Sequence, residues 1–249
     1  MQGVRKPSVI FFNRAYPPVR GATGRMLRDL AQAFSADGWD VTVVTTGPQN
    51  NKENDGNVRI VRVRAGGGRR WSLFAFVKLW FKFLVTGMIL PRHDLIVTMS
   101  DPPLFVVAGR ILARRKKSRH INWCQDLYPD LLPALGMHIP RGLMQWFKVM
   151  SRRAMKSCDK VVVIGRCMAR HLTHGGMDPR RIAVIPNWYD SELISMNGRR
   201  GMTAASAAAR HRPLARAMEA ARPYSQLFRD DERKFRVLYA GNMLSLIHI

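Results

Sequence analysis

This 249-residue chain is poor in cysteine and, for its 41 Lys and Arg, poor in acidic residues. Its three cysteines, Cys124, Cys158 and Cys167, are odd in number and form no Cys-x-x-Cys pair. That argues against a disulfide framework or a thiolate zinc site and makes a reducing compartment the default. Asp-x-Asp is absent, so metal-bridged binding of a nucleotide diphosphate has no obvious ligand pair. Neither Gly-x-Gly-x-x-Gly nor Gly-x4-Gly-Lys-(Ser/Thr) occurs, which removes the dinucleotide and ATP fingerprints. Of the seven histidines only His171 and His174 stand close together, and three apart at a helix end they read as surface. The apolar run near the N-terminus is too short for a signal-peptide core and has no small-residue cleavage site, so export is not expected. What is present is 47% apolar and 9% aromatic, enough to bury a core and to exclude global disorder. Against 17 acidic residues stand 41 Lys and Arg, a net charge of +24 and a pI near 11.3. Such a balance points to an anionic partner: nucleic acid, a membrane surface or a phosphorylated substrate. A solvated arginine-rich face is the plainer explanation.

Short apolar runs alternate with helical patterns, the signature of a parallel sheet covered on both faces. Ser8–Phe12 reads as the first strand, continuous and apolar. Pro17, Pro18, Gly21 and Gly24 make a turn, then Met26, Leu27, Leu30, Ala31 and Phe34 recur at helical spacing until Gly38. Further strands are predicted at 40–46, 58–63, 94–99, 120–125, 160–164 and 181–185, with helices at 104–115, 141–156 and 167–174. The fold class is therefore α/β, a Rossmann-like doubly wound parallel sheet over residues 1–190, in which antiparallel hairpins are not expected. From 191 to 234 the chain turns rich in Ala, Arg and Ser and reads as a linker. Residues 235–243 look like the first strand of a second α/β domain, and the chain ends at 249.

Three places at the carboxyl ends of predicted strands can carry chemistry. Gly21, Gly24 and Arg25 lie where the first strand feeds the first helix. Glycines there admit close backbone approach, the helix start presents unpaired N–H groups, and Arg20 and Arg25 add charge-assisted bonds to a diphosphate. A tight turn without a ligand fits the same residues. On the ligand reading, Gly24→Val blocks the diphosphate and spares the fold. Asp126 and Asp130 flank Tyr128-Pro129 after the fifth strand, where Asp126 can orient or deprotonate a hydroxyl and Tyr128 can stack on a sugar ring. An ordinary loop with an acidic helix cap reads equally well. Asp101, in Ser100-Asp101-Pro102-Pro103, occupies the matching place after the fourth strand.

Trp71–Leu90 is apolar and aromatic but interrupted by Lys78 and Lys82, four apart on one helical face. It fits an interfacial helix with snorkelling lysines, or a core helix packed on the sheet. Two charges near the middle argue against a membrane span. Arg110, Arg114, Arg115, Lys116, Lys117 and Arg119 form a basic edge suited to anionic lipid.

Taken in order, several motifs resemble one family. Phe11-Phe12-Asn13, Tyr16-Pro17-Pro18, Gly21-Ala22-Thr23-Gly24-Arg25 and Gly38-Trp39-Asp40 resemble the start of retaining GT-B glycosyltransferases of family 4, of the colanic-acid, capsule and O-antigen type. Gln125–Asp130 resembles their Asp-x-(Tyr/Trp)-Pro-(Glu/Asp) loop. Asp159–Ile164 and Ile185–Asp190 resemble the strands leading out of the N-terminal domain, and Val237–Asn242 resembles the opening of the donor domain. Departures are Gly165 where the family has Ser, a longer connection around 202–222, and an ending in which 244–249 look adaptor-derived. The resemblance implies an acceptor-binding N-terminal domain whose second GT-B domain is missing. It implies transfer from a nucleotide sugar to a lipid-linked glycan with retention, without metal or other cofactor, in surface polysaccharide synthesis. It further implies a cytoplasmic enzyme peripheral on the inner membrane face. Gly21, Gly24 and Arg25 would line the diphosphate side of the cleft, Asp126 would face the reacting hydroxyl, and Asn187 would sit near the hinge. The chain alone would be an inactive half-enzyme.

The rival from another class is a basic membrane- or nucleic-acid-binding α/β module without catalysis. Nucleic acid is not the expected partner, because no binding motif is present and the aromatics cluster away from the arginines. A nicotinamide dehydrogenase would need an acidic residue ending the second strand, which instead ends Thr45-Thr46-Gly47.

Overall fold

The structure, a computed structural model, describes residues 5–19, 21–65, 73–132 and 139–188. All belong to the first of two units into which the chain divides, residues 1–188. The expectations for the linker 191–234, the strand 235–243 and the tail 244–249 lie outside the described residues, as do Arg20 and Trp71.

Continuous apolar runs become strands buried on both faces. β1 (Ser8–Phe12) is wholly buried, and Phe11 and Phe12 point to opposite sides. After α1 (Ala22–Ala36) come β2 (Asp40–Gly47), β3 (Asn51–Asp55), β4 (Val58–Arg64) and α2 (Leu73–Ile89). β5 (Leu95–Met99), α3 (Phe105–Lys116), β6 (Arg119–Cys124), α4 (Arg141–Lys156), β7 (Lys160–Val163), α5 (Arg166–His174) and β8 (Ile182–Val184) complete the order. The strands make one sheet ordered β3-β4-β2-β1-β5-β6-β7-β8, parallel throughout except at β3. This is an α/β Rossmann-like domain.

The departure from an all-parallel sheet is the β3–β4 hairpin, which turns at Gly56-Asn57. Its first strand, Asn-Lys-Glu-Asn-Asp, has no apolar residue and is largely exposed, so no hydrophobic period announces it. Backbone pairing to β4 suffices to form it, and buried Arg62 ties it down. Arg62 Nε donates to Glu53 at 2.7 Å and its Nη2 to the Pro17 carbonyl at 2.6 Å. A polar edge strand also discourages pairing with another chain.

Among the described residues α1 is the helix that packs on one face, setting Met26, Leu27 and Ala31 against Val9, Phe11, Val41 and Val43. On the other face lie α2 and α3, with Leu79, Phe83, Phe105 and Leu112 against Ile10, Phe12 and Ile96. α4 and α5 cover the far strands of that same face through Ala154, Met155 and Leu172. Burying each such side chain stabilises the domain by about 1.5–3 kcal/mol. In α2, Leu79 and Phe83 are in the core, as the core-helix reading of Trp71–Leu90 expects, whereas Val77, Phe81 and Val85 are exposed on the opposite side. Among the described residues no helix is long and apolar enough to cross a membrane. Strands leave β1 in opposite directions, to β2 on one side and β5 on the other. The crevice at the carboxyl ends of β1 and β5 is therefore the topological switch point, where open α/β sheets bind ligands.

Candidate active site

The backbone after β1 is pinned from three sides. The Asn13 amide donates to the Val44 carbonyl at 3.1 Å, and the Arg14 amide donates to the Asp101 carbonyl at 2.8 Å. The Arg14 carbonyl accepts from the hydroxyls of Thr45 and Thr46 at 2.9 and 2.8 Å. Arg14 Nε then reaches both carboxylate oxygens of Asp101 at 2.8 Å, an ion pair that spans the switch point. Nothing in the sequence reading singled out Arg14. Its place directly after the first strand, beside a residue that must face the crevice, was the available signal.

Ser100 extends the arrangement to β6. Its Oγ accepts from the amides of Gln125 and Asp126, at 2.7 and 3.0 Å, and so fixes where the loop begins. Asp126 is exposed, and its carboxyl is held above the ordinary carboxylate value by the surrounding protein atoms and by the charge of Asp101. Tyr128, partly buried, has its phenol pushed up to about 12, first by burial and then by Asp126 and Asp101. Ser100, Asp126 and Tyr128 line one small pocket with Asn122 and Cys124. Asp130 has a different use. It pairs with Lys148 at 2.9 Å and His171 at 3.5 Å, and although burial opposes the ionised form these partners hold it below the usual range. Asp130 thus ties the loop to α4 and α5, while Asp126 faces out.

α1 starts at Gly21 without a side-chain cap, so its first N–H groups are not satisfied by a side chain. A Cβ on Gly24 would lie 3.0 Å from the Ala15 carbonyl carbon and 3.1 Å from the Tyr16 nitrogen. The glycine therefore admits the chain's own backbone. The expectation that Gly24→Val spares the fold leaves out this contact, since any side chain at 24 requires the backbone of residues 15 and 16 to give by a few tenths of an ångström. Gly21 packs the same way, 3.2 Å from Ala15 Cβ, and Arg25 is exposed in the first turn of α1. Gly21, Gly24, Asp101, Asp126 and Tyr128 are thus gathered around residues 14–16. Asn187 lies apart, exposed beyond the end of β8. Next to it Trp188 stacks on Trp123, with centroids 5.6 Å apart, and donates to Asp29 of α1 at 3.0 Å.

Three buried polar atoms at this end of the sheet have no hydrogen-bond partner: Asn13 Oδ1, Trp123 Nε1 and Gln125 Nε2. Such a group costs about 1–3 kcal/mol. Among the described residues no group of three or more His, Cys, Asp or Glu could hold a metal ion.

The profile of the glycosyl transferase 4-like domain matches residues 21–188. The chain belongs to that family. Its fold is similar to that of sucrose-phosphate synthase from Thermosynechococcus elongatus, with 13% identity and a TM-score of 0.55 over 80% of this chain and 54% of the other. Weaker similarities reach HepE from Anabaena, solved with UDP and glucose (16% identity, TM-score 0.46, 77% of this chain, 49% of that one). Another is to UGT89C1 from Arabidopsis thaliana, solved with UDP-L-rhamnose (10%, 0.49, 76% and 51%). The chain spans about half the length of these structures. No curated protein matches it. The glycosyl transferase 4-like domain is thus Rossmann-like, with its polar cluster at the carboxyl edge of the sheet.

Proposed function

We propose that this domain is the acceptor wall of a retaining glycosyltransferase that moves a sugar from a nucleotide sugar to a lipid-linked glycan in surface polysaccharide synthesis. The observation that carries the reading is Asp126, an exposed carboxylate of raised proton affinity beside the Arg14–Asp101 pair at the carboxyl edge of a glycosyl transferase 4-like domain. In the reaction the acceptor hydroxyl forms the new glycosidic bond, the bond from the anomeric carbon to the diphosphate breaks, and the hydroxyl proton passes to Asp126. Arg14 orients Asp101 and so sets the charge that Asp126 feels. The first turn of α1, with Gly21, Gly24 and Arg25, lies beside the diphosphate, and Asn187 lies near the hinge to a second domain. The proposed reaction includes no metal or other cofactor. The enzyme works peripherally at the cytoplasmic face of the inner membrane, which a net charge of +24 supports.

The test is transfer of radiolabel from a panel of UDP- and GDP-sugars to a membrane lipid extract, by the enzyme completed with a donor domain. Asp126→Asn should lower turnover by ~10²–10⁴-fold. Near-normal turnover in Asp126→Asn removes the proton-transfer role.

A further inference from the structure

The helices on one face of the sheet carry no acid. α2, α3 and α4 together contain not one Asp or Glu, against two cations in α2, four in α3 and five in α4. The described carboxylates sit elsewhere, in loops, on β-strand ends and around α1.

These helices are also apolar on the side away from the sheet. α2 turns Leu79 and Phe83 inward and leaves Val77, Phe81 and Val85 exposed at i, i+4, i+8, with Phe81 56% accessible. α4 turns Ala154 and Met155 inward and leaves Trp146 and Val149 exposed across the helix from them, with Trp146 54% accessible and Leu143 exposed in its first turn. Single exposed apolar residues need no explanation, but stripes repeating with the helix period on two members of one layer do. Lys78, Arg114 and Arg153 accompany them, all exposed.

We propose that this acid-free helical layer is a docking face for an anionic lipid bilayer, with the two stripes entering the interface and the cations meeting phosphate headgroups. The proposal rests on the membrane location proposed above and assigns it to a particular face. Charge selects among occupants. A second copy of the chain would bring the same excess of cations against itself. A nucleic-acid backbone would satisfy the arginines but has no use for Val77, Val85, Leu143 and Val149. A bilayer uses both classes of side chain. The helices run antiparallel to the strands, so the first turns of α2 and α4 border the carboxyl edge where Asp126 lies. A lipid-linked acceptor can then keep its chain in the bilayer while its head enters the cleft.

The test uses the 249-residue chain and sedimentation with vesicles of phosphatidylglycerol and phosphatidylcholine, or of phosphatidylcholine alone, at 0.1 and 1 M NaCl. Binding should require the anionic lipid and weaken at 1 M, where screening shortens to ~3 Å. Arg114→Ala with Arg153→Ala should lower binding by about fivefold per cation. Arg5→Ala with Lys6→Ala, at the opposite edge of the sheet, removes equal charge and should change binding far less. Phe81→Ser with Trp146→Ser should lower the binding that survives 1 M NaCl, and unchanged melting temperatures establish that these exposed sites leave the fold intact. Equal losses in the two charge pairs, or unchanged binding in both face pairs, would overturn this face while leaving a membrane location standing. No binding to anionic vesicles removes both. Competition by duplex DNA that the apolar pair does not affect would assign the face to nucleic acid instead.

Discussion

Acidification should remove stability from this domain through one buried histidine. His120 lies on β6, 2% exposed, with Nε2 2.9 Å from Thr98 Oγ1 and Nδ1 3.5 Å from Cys158 Sγ. Burial lowers its pKa from 6.5 to about 4, against the opposing charge of Asp159. The folded value is depressed, so below pH 6.5 the unfolded chain binds a proton that the folded one does not. Stability is then complete above pH 6.5, falls by up to ~1.4 kcal/mol per pH unit, and levels off near pH 4, a total of about 3 kcal/mol. That is a large part of the ~5–15 kcal/mol available to a domain. His93, also lowered by burial, adds to the slope, and Asp126, raised, opposes it. Comparison with His120→Gln, which cannot titrate, isolates the His120 contribution. Urea unfolding of both proteins from pH 7 to 4 should show the variant less stable at pH 7 and the difference shrinking as pH falls. Parallel pH profiles for the two proteins would refute the reasoning.

Gly109→Ala sets a methyl against the same histidine and 2.6 Å from Thr98 Cγ2, so α3 must lift from the sheet. A loss of about 1–3 kcal/mol in urea unfolding is expected, and an unchanged midpoint would count against so close a helix–sheet approach. Gly24→Val should lower the melting temperature before any ligand is added, because its clash is with the backbone of residues 15 and 16. A variant that melts normally but no longer binds a nucleotide diphosphate would restore the ligand-approach reading. Asp101→Asn removes the negative charge that helps raise Asp126, so the Asp126 carboxyl should titrate at lower pH by carbon-13 NMR; an unmoved titration would separate the two carboxylates.

Much of this arrangement was legible in the chain itself. Ser8–Phe12 and Arg141–Lys156 match the predicted ranges residue for residue, because a doubly covered strand must be continuously apolar and an amphipathic helix must repeat near 3.6. The Rossmann-like class follows from that alternation, and the charge of +24 was available before any fold. β3 was not legible, since an edge strand held by backbone pairing and by Arg62 needs no apolar residue. Nor was the strand order. It is set by which faces bury best together, and it alone puts Arg14 against Asp101, 87 residues apart. Gly24 was visible as a glycine, but whether it faces a ligand or a backbone depends on how closely α1 approaches residue 15. The acid-free face shows the same division. Composition records the cations, while only packing decides that Leu79 turns inward, Phe81 turns outward, and α2, α3 and α4 cover one side of the sheet together.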